Sequence, residues 1–263
     1  VSGTVMSLLV LKQGAALAAV QGVIAVALLA VISLLLQSPV SQVFANAAVI
    51  WVPVMLLAAL LRSRRSVTLT LQVAALVALA ATCAFYLALG DPAAYWSDVL
   101  VNVAAAFRDM GLQQHADALL EQRDVVAAQM TTLVVLTTWS LYVTVLLLGY
   151  AIYRSLSEKP GEVGRLCDLN LGKVLALTMA VTSVMAVVTG SVWLQNVAFV
   201  AFALFWLQGL AIVHWLHAAG RLPVLVVIMV YALIPLLNAL LIMALAVVGY
   251  IDAWFDFRRR KMA

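Results

Sequence analysis

The sequence predicts an all-α fold: a polytopic transmembrane helical bundle of about eight spans, with an amphipathic interfacial helix near 95–110. Three observations lead there. Hydrophobic residues make up 66% of the 263 positions and charged residues only 10%. Soluble domains are about half apolar and about a quarter charged, so water is the wrong solvent for this surface. The apolar runs are about 16 to 24 residues long, the length of spanning helices, and lack the short alternating segments of a transmembrane barrel. Finally, thirteen of the fifteen Lys and Arg residues fall on one side once the runs are threaded back and forth.

The elements follow in order. Residues 1–11 are apolar but too short to span, and read as part of a helix, with an unusual start or a missing upstream portion as the two explanations. Neither a basic leader nor a cleavage box marks a signal peptide. The first span is 15–36. The second is 44–61, followed by Arg62, Arg64 and Arg65, and the third is 67–89. A polar segment, 90–124, comes next and carries Asp91, Asp98, Asp109, Asp117, Glu121 and Asp124. Within it Trp96, Leu100, Val103, Phe107 and Met110 recur at helical spacing, which predicts an amphipathic helix ended by Gly111. It either caps the bundle or gates a cavity.

The fourth span is 125–153. The loop after it carries Arg154, Lys159, Pro160, Gly161, Gly164 and Arg165. The fifth span is 173–189 and the sixth 194–216, with a tight turn at Gly190. Gly220, Arg221 and Pro223 break the chain again. The stretch 222–257 would be roughly 54 Å as one helix, against a hydrocarbon core of about 30 Å. Pro235 and Asn238 therefore split it into a seventh span, 222–236, and an eighth, 239–257. An even count keeps Lys12 and the clusters at 62–65, 154–173, 221 and 258–261 together, with only Arg108 and Arg123 opposite. The positive-inside rule then puts both termini in the cytoplasm. The chain reads as one integral membrane domain over 1–263.

The net charge of +4 sits in short loops, where it acts as a topology signal and not as a nucleic-acid footprint. No HExxH, GxSxG, Walker or CxxC motif is present, which argues against an enzyme, a metal centre or a cofactor. His214 and His217, at i,i+3, read as interfacial polar residues. Cys83 reads as a small hydrophobe and Cys167 as a reduced loop thiol. Polar groups inside spans are the better lead, because each is costly in lipid without a partner. Gln21, Gln72, Asn196, Gln208 and Asn238 are such groups. They either line a polar cavity or hydrogen-bond between helices. Phe199, Phe202 and Trp206 form an aromatic stripe that suits a flat ligand, packing or lipid. From these, Gln72, Asn196, Trp206 and Gln208 are the candidate ligand-binding residues.

Small residues crowd the first span. Ala15 and Ala19, or Ala18 and Gly22, have the small-xxx-small spacing that admits another helix, internal or from a partner. At the other end Asp252 and Asp256 lie one turn apart, and Arg259 and Arg260 are in reach of Asp256. This end, with Arg258, is either a self-neutralised helix terminus or a docking site.

The ending Asp252-Ala-Trp-Phe-Asp256-Phe-Arg258 is distinctive. With Val213-His214 before the basic turn at Arg221, Tyr231 in the next span, and Trp51-Val-Pro53 early on, it resembles the YybS-like family of bacterial inner-membrane proteins, whose function is unknown. That family is distantly similar to the substrate-binding subunits of energy-coupling-factor vitamin transporters and to the rod-shape protein MreD. The resemblance implies a bacterial inner membrane and a non-enzymatic solute-binding or transport component. Such a component docks on a membrane coupling subunit through positions like Ala15 and Ala19, and takes a small-molecule ligand inside the bilayer-embedded bundle. The alternative expectation is a scaffold that recruits envelope or morphogenesis proteins. The commonly six-spanning transport subunits leave the helix correspondence with eight spans unsettled.

Overall fold

The computed structural model describes residues 1–156, 163–237 and 239–260, with the side chains of Arg259 and Arg260 excepted. Among these residues the fold is all-helical, with no strand. Asn238, Lys159, Pro160 and Gly161 lie outside the described residues. Six helices are long and apolar enough to cross a membrane, and this is a multi-pass membrane protein by that measure. The count differs from eight because the last two apolar helices are only 14 and 17 residues long, or roughly 21 and 26 Å.

The chain divides into two compact units. The first comprises Val1–Ala74 and Trp139–Leu169. Helix α1 spans Ser2–Gln13. Gly14, at φ +102°, makes the corner into α2 (Ala15–Leu35), a conformation that L side chains rarely adopt. Helices α1, α2 and α3 (Val40–Arg64) pack on one another. Arg62 fastens the corner. Its Nη1 donates to the carbonyls of Leu11 at 2.7 Å and of Val10 at 3.1 Å at the C-terminal end of α1, the latter also accepting from Gly14 N at 2.9 Å. Inside α3, Pro53 has no N–H to offer the carbonyl of Val49. The Tyr142 hydroxyl donates to that carbonyl at 2.8 Å instead. Tyr142 lies on α7 (Arg123–Leu156), which, like α4 (Val67–Leu89), contributes to both units. A 3-10 turn at Leu166–Asp168 closes this unit. Tyr150 of α7 donates to the Gly164 carbonyl, and the Gly164 N–H donates to Arg65 O at 3.0 Å.

α2 shows how the membrane enters the fold. Only 11% of its apolar window is buried. Leu17, Val23, Leu28 and Leu35 are all more than half exposed, which water would penalise by about 25 cal/mol per Å² and lipid would not.

The second unit comprises Ala75–Thr138 and Asn170–Ala263. The amphipathic helix is α5 (Pro92–Asp109). Asp91 caps it, accepting from Ala93 N at 3.0 Å, and Pro92 takes the first position. It runs longer than the expected 95–110 at its start and ends before Gly111, which adopts φ +78°. A second short helix, α6 (Gln113–Glu121), packs against it and is not anticipated by the apolar pattern. Arg108 bridges to Asp117 at 2.9 Å across the pair.

The remaining helices are α8 (Gly172–Thr189), α9 (Val192–Leu204), α10 (Trp206–Ala218), α11 (Val224–Leu237), α12 (Ala239–Phe255) and α13 (Phe257–Arg260). The expected sixth span is thus α9 and α10, interrupted at Phe205. Its window is 67% buried, so it forms the centre of the unit. α10 and α12 cross with their backbones nearly touching. A Cβ on Gly209 would overlap the Leu245 carbonyl, and one on Gly249 would overlap the Phe205 carbonyl. Only glycine permits that approach. Phe205, fully buried, meets the Tyr250 ring edge-on at 5.5 Å beside the crossing.

The expected eighth span runs continuously to 257. The structure instead ends α12 at Phe255 and turns at Asp256, which has φ +48°. Asp tolerates this left-handed conformation better than most residues do. The expected pairing of Asp256 with Arg259 and Arg260 falls on arginine side chains outside the described residues, and Asp256 has an interaction of its own.

Candidate functional site

Two polar clusters in the second unit contain four of the nominated residues, Asn196, Gln208, Asp252 and Arg258. The first begins with Asn196, placed near the start of α9. Its Nδ2 donates to the Tyr86 hydroxyl on α4 and to the Ala128 carbonyl on α7, the latter at 3.3 Å. Three helices are therefore tied at one amide. One turn along α7, Thr131 Oγ1 accepts from Trp96 Nε1 of α5 at 2.8 Å. The Trp96 ring lies 5.9 Å from Phe85 and 5.1 Å from Tyr95. The amphipathic helix is thus pinned by its tryptophan next to the Asn196 cluster. Thr132 Oγ1 is buried there with no hydrogen-bond partner among the described residues. A helical threonine commonly bonds the carbonyl four residues back. For Thr132 that is Ala128, which Asn196 occupies. The cluster consists of neutral donors and acceptors beside aromatic rings.

The second cluster lies where α8, α10, α12 and α13 meet. Gln208 on α10 is fully buried with both ends of its amide engaged. Its Oε1 accepts from Leu171 N at the start of α8, and its Nε2 donates to Asp252 Oδ2, each at 2.8 Å. The turn at Asp256 brings Arg258 back, and its Nη2 reaches the same Oδ2 at 2.7 Å. Both charged side chains are buried, at 7% and 0% exposure, and Asp252 Oδ1 has no hydrogen-bond partner among the described residues. A buried pair of this kind holds parts together more than it adds net stability.

The nominated residues therefore do not converge on one site. Asn196 and Gln208 belong to separate clusters, 12 residues or roughly 18 Å apart along their helices. Trp206 is partly exposed, and Phe199 beside it faces outward. Gln72 is half-buried within the first unit and has an interaction of its own. Of the small-residue pairs, Ala18 and Gly22 are buried inside the first unit, with Gly22 against Met6 and Trp51, whereas Ala15 and Ala19 are exposed. A partner at the chain's end would meet Phe255, Phe257 and Asp256 before it met Asp252 or Arg258.

Sequence reasoning missed Tyr86, Trp96 as a hydrogen-bond donor, Thr131, and the glycine crossing. A signal existed for the crossing: Ala246, Gly249 and Ala253 repeat at helical spacing on α12, and all are buried. The histidines bind within the protein. His214 Nε2 shares a hydrogen bond with the Tyr231 hydroxyl and His217 Nδ1 one with Leu222 O, both at 2.9 Å. Cys167 is buried, and burial beside Asp168 pushes its thiol pKa up, which disfavours the reactive thiolate. Among the described residues no group of three His, Cys, Asp or Glu comes together. Comparison with known proteins finds no matching family model, curated protein or solved structure.

Proposed function

We propose that this is a bacterial inner-membrane protein crossing the bilayer eight times, with both termini cytoplasmic, that works as a non-enzymatic solute-binding or transport component. The single observation that carries the reading is the Asn196–Tyr86–Ala128 cluster lying next to the Trp96 anchor of α5. Release of the Trp96–Thr131 bond would free α5 from α7. The neutral groups of Asn196, Tyr86 and Thr132 would then be available to a small amphipathic solute. Neutral hydrogen-bonding groups among aromatic rings are the usual lining of such sites. The resemblance to the YybS-like family and its distant transport relatives points the same way.

The eight-pass layout counts α11 and α12 as spans. Both are short for the hydrocarbon core, but the bilayer thins around short helices at modest cost. Energy would come from a membrane coupling subunit, and the exposed Ala15 and Ala19 on α2 are the face we assign to it. The same exposed face also supports a second reading, a scaffold for envelope proteins.

The test is a thermal-shift and mass-spectrometric search on the purified full chain. A solute that co-purifies or raises the unfolding temperature, and that Asn196→Ala no longer retains, supports solute binding. The reading fails if nothing is carried and nothing stabilises the protein.

A further inference from the structure

Granted the solute-binding reading above, on which this rests, we propose the class of solute. The Tyr86–Asn196–Thr132 cluster takes an uncharged molecule with a carbonyl oxygen beside an N–H on the edge of a flat ring, the pattern of a lactam.

Hydrogen bonding within the cluster is incomplete, and each open position has a defined sense. Asn196 Nδ2 donates twice, to the Tyr86 hydroxyl and to the Ala128 carbonyl. A backbone carbonyl only accepts, which fixes the orientation of the amide. Tyr86 therefore accepts from Asn196, and its own proton has no acceptor among the described residues. Asn196 Oδ1 has no donor among them. Both side chains are half-buried, so these positions are within reach of the surface of the unit.

Thr132 lies deeper, at 6% exposure, and its hydroxyl has no partner among the described residues. Threonines elsewhere in this chain bond the carbonyl four residues back, as Thr70, Thr82, Thr178 and Thr182 do. Thr132 does not, and the carbonyl it would use, that of Ala128, is held by Asn196. A buried hydroxyl left open is costly. One donor, one acceptor and one hydroxyl of either sense thus remain, on α4, α9 and α7.

No hydrogen bond of Tyr86, Asn196, Thr131 or Thr132 involves a charged side chain. An ion without an opposite charge is heavily penalised in such surroundings, which favours an uncharged ligand. The open donor and acceptor belong to a bonded phenol–amide pair, and a carbonyl and an N–H side by side complement them. Thr132 is one turn along α7 from Ala128, roughly 5 Å, so the polar edge extends beyond a single atom, which disfavours a lone hydroxyl. Trp96, tied to the adjacent Thr131, lies 5.9 Å from Phe85, and such rings favour a flat partner.

The full chain in detergent is titrated with the fused-ring lactam carbostyril, its N-methyl derivative, β-naphthol and the anion quinaldate. Equilibrium dialysis against empty micelles reads the binding. Carbostyril should saturate. N-methylation, which removes the N–H, should weaken binding about tenfold, the loss of one hydrogen bond to a group then left unpaired. β-Naphthol and quinaldate should bind at least as weakly. Tyr86→Phe should weaken carbostyril and its N-methyl derivative alike, since both keep the carbonyl. Thr132→Val should weaken carbostyril about three- to tenfold while leaving the unfolding temperature of the ligand-free protein unchanged or higher, because it removes an unpartnered hydroxyl. This variant carries the test if Tyr86→Phe does not fold. The proposal is overturned if carbostyril does not saturate, if any other probe binds as tightly, or if Thr132→Val keeps full affinity or lowers the unfolding temperature. If the wild-type chain still carries a solute that Asn196→Ala loses, those results overturn the lactam class and leave solute binding standing. If it carries none and nothing stabilises it, both fall.

Discussion

Asp252 is a carboxylate inside a largely hydrocarbon protein, and two partners on two other helices, Gln208 and Arg258, make it tolerable. Removing only its counter-ion should therefore cost far more than removing both charges. Arg258→Ala is expected to lose on the order of 3–5 kcal/mol, and Asp252→Asn/Arg258→Gln considerably less. Thermal unfolding of each variant in the same detergent measures the difference, and equal losses would rule out a buried pair. The residue types at this site were legible in the sequence, but the pairing was not. Helical spacing connects i with i+3 and i+4, whereas Asp252 and Arg258 are six apart and meet only because Asp256 turns left-handed. No glycine marks that turn. Gln208 stood out as a polar group in a span, but its partner is 44 residues away, beyond any local pattern.

Among the elements, the long helices were the readable part. α2, α4 and α8 begin and end within a residue or so of the apolar runs, because a hydrocarbon slab dictates both length and composition. α6 was missed because it is nine residues long and polar. The break between α9 and α10 was missed because Phe205, neither Gly nor Pro, sits at it. How helices approach each other depends on close contacts between residues distant in sequence, and there the glycines give a testable ranking. Gly209→Ala and Gly249→Ala push a methyl into a backbone carbonyl of the facing helix, which cannot move alone. Each should cost about 1–3 kcal/mol. Gly22→Ala meets only the terminal methyl of Met6, at 2.9 Å, a flexible neighbour, and should cost less. Unfolding midpoints of the three variants should fall in that order, and a larger loss at Gly22 would contradict the crossing geometry.

The whole molecule is organised by an asymmetry of charge. Residues 1–74 contain no acid at all, while residues 90–124 contain six. If the basic turns lie inside, a cysteine replacing exposed Leu112 should react with a membrane-impermeant maleimide in intact cells. One replacing exposed Ser63 should react only after permeabilisation. A reporter fused after Ala263 should be active in the cytoplasm, and labelling of Ser63→Cys from outside would invert the layout. The return of Arg258 to Asp252 bears on how such fusions are built. A ribosome makes the acid six residues before its neutraliser, so a product stopped at Phe257 must carry an uncompensated aspartate. Junctions placed upstream of position 258 would report on a protein whose buried acid has lost its counter-ion.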